Sequence, residues 1–198
     1  MRVKMIRPIV AVTAIALLSG CVSLGPKPPG ELIGLTSDAK VPAGQAKTVN
    51  DKQAISVALP ALPPELRNNR IAVQSGATFA YLPKSAWIDA PNHLFRAVLA
   101  ETIEAKTGRF VPDNRNPAIT PDTRLGGTLI AFQLLGGRGQ VLVVFDATLS
   151  KAGSDQIQAR RFEARARVGD EKPTNVSSAL NRAANAVASD VADWVGSL

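Results

Sequence analysis

Apolar residues alternate with polar ones in some stretches of this chain and recur every third or fourth position in others. In residues 54–59 (AISVAL) Ile55, Val57 and Leu59 take every second place, which predicts a half-buried strand ended by Pro60, Pro63 and Pro64. Residues 70–74 (RIAVQ) put Ile71 and Val73 on one face, and residues 78–82 (TFAYL) make another short strand. The rhythm then changes. Over residues 91–106, Leu94, Phe95, Val98, Leu99, Thr102 and Ile103 fall at helical spacing. Asp89 is placed as the N-cap of this helix, Pro91 in its first turn and Gly108 at its C-terminal stop.

Three longer alternating segments follow, over residues 124–135, 140–150 and 157–168. In the second, Val141, Val143, Phe145, Ala147 and Leu149 oppose Leu142, Val144, Asp146 and Thr148. In the third, Phe162, Ala164, Ala166 and Val168 point one way and Arg161, Glu163, Arg165 and Arg167 the other. The links GGRG (136–139) and KAGSD (151–155) are short enough for hairpins. A last helix is expected over residues 175–195, with Leu180, Ala183, Val187, Val191 and Trp194 as its apolar stripe. A first short strand is expected at 31–36 (ELIGLT), a polar loop over 37–51, a strand start at 109–111 and a turn-rich loop over 112–122. Antiparallel neighbours need only tight turns, whereas parallel ones need crossovers. The expected fold is therefore a single α/β domain, a mixed β-sheet with a C-terminal antiparallel meander, covered by two main helices.

The N-terminus obeys a different pattern. Arg2, Lys4 and Arg7 precede a run of 11 largely apolar residues, 8–18, and then the small Ser19 and Gly20. As a helix that run would reach about 16 Å, against roughly 30 Å of hydrocarbon, so it is too short to span a membrane comfortably. It has the order of a secretory signal. The single cysteine of the chain, Cys21, stands at its end, so no internal disulfide can form. Leu18-Ser19-Gly20-Cys21 resembles the bacterial lipobox, and the resemblance implies a diacylglycerol on the Cys21 thiol, cleavage before it and an acyl chain such as palmitate on the new amine. One acyl chain holds a membrane weakly and several hold it stably. Residues 22–30 (VSLGPKPPG) form an extended linker with a reach of about 30 Å. The expected organisation is a signal peptide over 1–20, a lipidated Cys21 with its linker over 21–30, and a periplasmic α/β domain over 31–198. Val22, rather than an aspartate, follows the cysteine, and by resemblance to enterobacterial sorting this favours the outer membrane over the inner.

Net charge adds a mild constraint. The formal value is +7, and losing three basic residues with the signal leaves a modest excess. That suits anionic headgroups or an acidic partner. No dense basic run with interleaved aromatics points to nucleic acid.

Arg70-Ile71-Ala72-Val73, then Tyr81-Leu82 and Trp87, bring out a family likeness. The order of lipobox, Pro-rich linker, short strand, RIAV-like strand, Tyr six residues before Trp, and amphipathic helix resembles the ABC-type transport auxiliary lipoproteins. In place of the basic residue that members often carry before the Trp, this chain has Ser85-Ala86. The resemblance implies a non-enzymatic accessory subunit of an MCE-type lipid transport system in the Gram-negative envelope. It also implies an MCE-domain protein and an ABC permease–ATPase complex as partners, with homo-oligomers compatible. The alternative is an outer-membrane assembly or structural lipoprotein.

Candidate site residues are few. Tyr81 and Trp87 are a candidate partner surface, since aromatics anchor interfaces, or else they pack the core edge before the helix. Arg161, Arg165 and Arg167 form a candidate basic face, or a solvated strand face that guards an edge. No catalytic, metal or cofactor residue is expected beyond the covalent lipid on Cys21. His93, the only histidine, has just Asp89 nearby and lacks a ligand set. Asp89 and Asp146 make no convincing acid pair, and GGRG lacks the GxxxxGK[ST] spacing of a phosphate loop. Asn175-Val176-Ser177 fits a glycosylation pattern of little weight in a bacterial-looking chain.

Overall fold

The computed structural model describes residues 31–44, 46–113 and 119–197. The expected signal peptide, Cys21 and the expected linker lie outside the described residues. Among those described, six strands form one mixed sheet: β1 (Ile55–Val57), β2 (Ala72–Ser75), β3 (Thr78–Tyr81), β4 (Thr123–Leu135), β5 (Gln140–Lys151) and β6 (Ile157–Arg167). Two helices, α1 (Pro91–Thr107) and α2 (Pro173–Gly196), accompany them. The strand order is β3-β2-β4-β5-β6, with β1 also pairing β4. β4, β5 and β6 run antiparallel, whereas β1 and β2 each lie parallel to β4, at its two ends. The expected α/β domain with its meander and two helices is the observed one.

The meander follows from alternation. Val141, Val143, Phe145 and Leu149 of β5 stand opposite Leu134, Phe132, Leu129 and Leu125 of β4, so one face of both strands is continuous hydrocarbon. A bulge between Leu129 and Ala131 keeps the two halves of β4 in phase with β5. Gly127 lies just before it at φ 146°, where an added Cβ would meet the Asp146 carbonyl oxygen at 2.0 Å. Only glycine fits this close approach.

Three aromatic pairs fasten the helical side to that face. Phe95 of α1 meets Phe145 edge-on at 5.4 Å between centroids, Trp194 of α2 meets Phe162 at 5.6 Å, and Trp87 meets Phe132 at 5.4 Å. α2 buries Ala179, Ala183, Ala184, Ala188 and Ala192 together with Leu180, Val187 and Val191. These small side chains allow its backbone close to its neighbours. α1 ends as expected at Gly108, which is left-handed (φ 70°) and donates its N–H to the Glu104 carbonyl at 3.0 Å.

Several local expectations are corrected. Asp89 does not cap α1: the N-cap position is Ala90, and no side chain bonds there. Asp89 sits one residue early. Its Oδ1 accepts from the Ala90 N–H at 2.7 Å, and its Oδ2 pairs with His93 Nδ1 at 3.0 Å. Residues 31–36 are not a strand, because only Ile33 bridges, to Trp87, and the chain then leaves the sheet. The strand expected to reach Leu59 stops at Val57, and Leu59 is exposed. At 109–111 only Phe110 pairs, with Ala54. The segments at 31–36 and 109–111 each pair at a single point, so neither builds a ladder.

Candidate functional site

Register divides the sheet into two unlike faces. The first carries the hydrocarbon described above and lies under the helices. The second turns away from them. There Ala131, Gln133 and Leu135 of β4 stand opposite Val144, Leu142 and Gln140 of β5. β6 adds Arg161 opposite Asp146, Glu163 opposite Val144, Arg165 opposite Leu142 and Arg167 opposite Gln140. β2 and β3 extend this face through Gln74, Phe79 and Tyr81.

At its centre Ala131, Gln133, Leu135 and Val144 are buried, although Ala131, Leu135 and Val144 stand outside the main core cluster. Gln133 Nε2 donates to the Gln74 side-chain oxygen. Phe79 is 42% exposed. An apolar centre with a polar rim is the make-up of a protein interface.

The candidate arginines all lie on this face, but they do not make it basic. Arg161 grips Asp146 with Nε and Nη2, each 2.6 Å from a carboxylate oxygen. This two-pronged hydrogen bond holds the Asp146 carboxyl below its ordinary value and raises the Arg161 guanidinium. Arg165 pairs with Glu163 at 2.9 Å. Among the described residues only Arg167 of the three has no ion pair. Its carbonyl accepts from Arg182 of α2 at 3.0 Å. The expected basic row is a row of alternating charge, because strand alternation and cross-strand register bring Glu163 and Asp146 to the same face.

The structure does not bring Tyr81 and Trp87 into one partner surface. Trp87 is 1% exposed and packed on Phe132 beneath the helical side, so its indole presents no anchor. Tyr81 lies on the helix-free face and is half-buried. Its hydroxyl accepts from Asn68 Nδ2 at 2.9 Å and donates to the Glu65 carbonyl at 3.2 Å, and the Arg70 guanidinium lies 4.4 Å from its ring centre.

One functional-looking feature went unread in the sequence. After Ile33 the chain is strapped across the helices by side chains. Asn181 Oδ1 accepts from the Thr36 N–H at 2.8 Å, and Asn185 Oδ1 from the Asp38 N–H at 2.8 Å. Asn185 Nδ2 donates back to the Thr36 carbonyl at 2.8 Å, while Ser37 and Thr102 hydroxyls meet at 3.0 Å. Glu101 takes the Val41 N–H at 3.0 Å. The signal was present: Asn181 and Asn185 sit four apart in a helix whose other inward positions are apolar, and a buried amide needs partners.

Among the described residues no group of three or more His, Cys, Asp or Glu could hold a metal ion, and no helix is long and apolar enough to cross a membrane. His93 and Asp89 are about half exposed. The Asp89 carboxyl is lowered first by the Ala90 N–H and then by the His93 hydrogen bond.

The described residues thus form a two-layer α/β domain with one sheet face free of helices and an N-terminal arm strapped to α2. The profile described as "ABC-type transport auxiliary lipoprotein component" matches residues 35–192, and the chain belongs to this family. Two crystal structures share the fold. Protein XCC0632 from Xanthomonas campestris, of the DUF330 family, aligns with TM-score 0.67 at 14% identity over 83% of this chain and 94% of its own. An uncharacterized protein aligns with TM-score 0.64, also at 14% identity, over 83% of this chain and 99% of its own. Comparison with curated protein sequences found no match.

Proposed function

We propose that this chain is a lipid-anchored, non-enzymatic accessory subunit of an MCE-associated ABC-type lipid transport system in the Gram-negative envelope. Cys21 carries the anchor on the periplasmic side of the outer membrane, and the helix-free sheet face docks on an MCE-domain protein beside the permease and ATPase. The observation that carries this reading is the family match across residues 35–192, almost the whole folded domain. The helix-free face supports it, with Leu142 and Val144 at its centre and the Arg161–Asp146 and Arg165–Glu163 pairs at its rim. Side-chain pairs of that kind fix orientation more than they add affinity.

Two measurements test it. A photocrosslinker in place of Leu142 in intact envelopes is expected to catch an MCE-domain subunit, and one in place of the exposed Asp190 on α2 is not. Capture of an outer-membrane barrel protein alone from Leu142 would favour an assembly role and sink the transport reading. Cys21→Ala is expected to abolish fatty-acid labelling and release the protein from membranes. Unchanged fractionation of that variant would overturn the anchor.

A further inference from the structure

A second polar region lies at one end of the sheet. Where β4 begins and β5 ends, a cleft of about 570 Å³ opens. Lys52, Arg109 and Lys151 line it from three separate parts of the chain, with the hydroxyl-bearing Thr123, Ser150 and Ser154 between them. Its volume is within the range of small-molecule sites.

The charges there are not balanced. Lys52 and Lys151 are exposed and have no ion-pair partner among the described residues. Arg109 is held by neutral oxygens, with Nη2 donating to the Ala54 carbonyl at 3.2 Å and to Thr123 Oγ1 at 2.9 Å. Its Nε is enclosed without an acceptor. Among the described residues one carboxylate lines the cleft, that of Asp122, and it accepts from the Thr123 hydroxyl at 3.0 Å. Three cations thus face one acid that is already engaged. This contrasts with Arg161 and Arg165, each matched to a carboxylate on its own face. The Ser150 and Ser154 hydroxyls offer further donors. A guanidinium pinned by two bonds, with two exposed ammonium groups and serine hydroxyls lining the same cleft, is the donor set a tetrahedral oxyanion takes.

We propose that this cleft binds a phosphate group. Its chemistry is shared by two sources, the phosphodiester of a phospholipid headgroup and free inorganic phosphate. The site lies on the domain's own residues and does not depend on which protein the helix-free face meets.

The test uses the full mature chain, with its N-terminal cysteine, in nanodiscs of zwitterionic lipid. It is titrated calorimetrically with inorganic phosphate and with glycerophosphoglycerol, the water-soluble headgroup of phosphatidylglycerol. Saturable binding of glycerophosphoglycerol assigns the cleft to lipid headgroups, and binding of inorganic phosphate alone assigns it to the free ion. In either case the double variant Lys52→Glu, Lys151→Glu is expected to weaken binding by about tenfold or more. Added salt should weaken the wild-type interaction as well. Both lysines are exposed, so an unchanged circular dichroism spectrum confirms that the variant is folded. Absence of saturable binding by either probe, or binding indifferent to the double charge reversal, overturns the proposal. Capture of the protein partner from Leu142 should be unchanged in this variant, so loss of phosphate binding and loss of partner docking read out separately.

Discussion

The two faces of the sheet are built from the same three long strands and differ in what holds them. Beneath the helices Leu129, Phe132 and Val143 are fully buried, and aromatic pairs join the sheet to Phe95, Trp194 and Trp87. On the other side Val144 and Leu142 stand opposite Glu163 and Arg165 of β6, and Arg161 pairs with Asp146 beside them. One face draws its stability from hydrocarbon removed from water, about 25 cal/mol per Å². The other has a small buried apolar centre at Ala131, Leu135 and Val144, and the exposed ion pairs at its rim add little. A domain organised in this way can change one face with little effect on its fold, which is what a docking surface requires.

The contrast can be broken most severely from the covered side. Phe132→Ala would remove the partner of the Trp87 ring and leave a cavity under the helices, with an expected loss of about 3–5 kcal/mol in denaturant unfolding. A loss under about 1 kcal/mol would mean that the covered face does not carry the fold.

Of intermediate size is the strap that crosses the helices. Asn185→Ala would leave the Asp38 N–H and the Thr36 carbonyl without their partners, for an expected cost of about 1–3 kcal/mol. Hydrogen exchange at Thr36 and Asp38 should accelerate while the β5 amides stay protected. Equal acceleration in both places would show that the strap is part of the global unfolding unit.

The smallest effect is expected on the helix-free face. Asp146→Asn should cost under about 1 kcal/mol at neutral pH. Its pH dependence sharpens the contrast. The folded Asp146 carboxyl lies below its ordinary value of 3.8 because of the Arg161 hydrogen bond. Near that pH the unfolded chain binds the proton more readily, so the contribution is present above the unfolded value. It is lost as pH falls through the folded one. The stability gap between wild type and Asp146→Asn should therefore close in acid, and a gap that stays constant with pH would rule out the ion pair as its source. The fully exposed Asp170, lowered to about 2 first by its Lys172 hydrogen bond, titrates in the same direction.

Much of this architecture was legible in the order of residues. The alternation of Val141, Val143, Phe145, Ala147 and Leu149, the helical spacing from Leu94 to Ile103 and the stop at Gly108 are local properties, and local geometry expresses them directly. The errors fell where a single contact replaces a periodic one. Ile33 pairs with Trp87 only once, and Asp89 turns its carboxylate to Ala90 and His93 instead of capping the next turn. The site was harder to read. Arg161, Glu163, Arg165 and Arg167 were visible as one row, but that Asp146 meets Arg161 depends on how β6 lies against β5. Trp87 stood open between interface anchor and core edge, because aromatics serve at interfaces and in cores alike.

Sequence by itself determined the strands, the helices, their order and the side each residue takes, because backbone periods of 2 and 3.6 residues turn spacing into facing. Only the tertiary structure decided which face the helices cover, that Trp87 is core, that Asn181 and Asn185 grip the incoming arm, and that Lys52, Arg109 and Lys151 share one cleft. Those outcomes join residues as far apart as Thr36 and Asn185, and no local rule of spacing reaches that distance; packing of whole elements does.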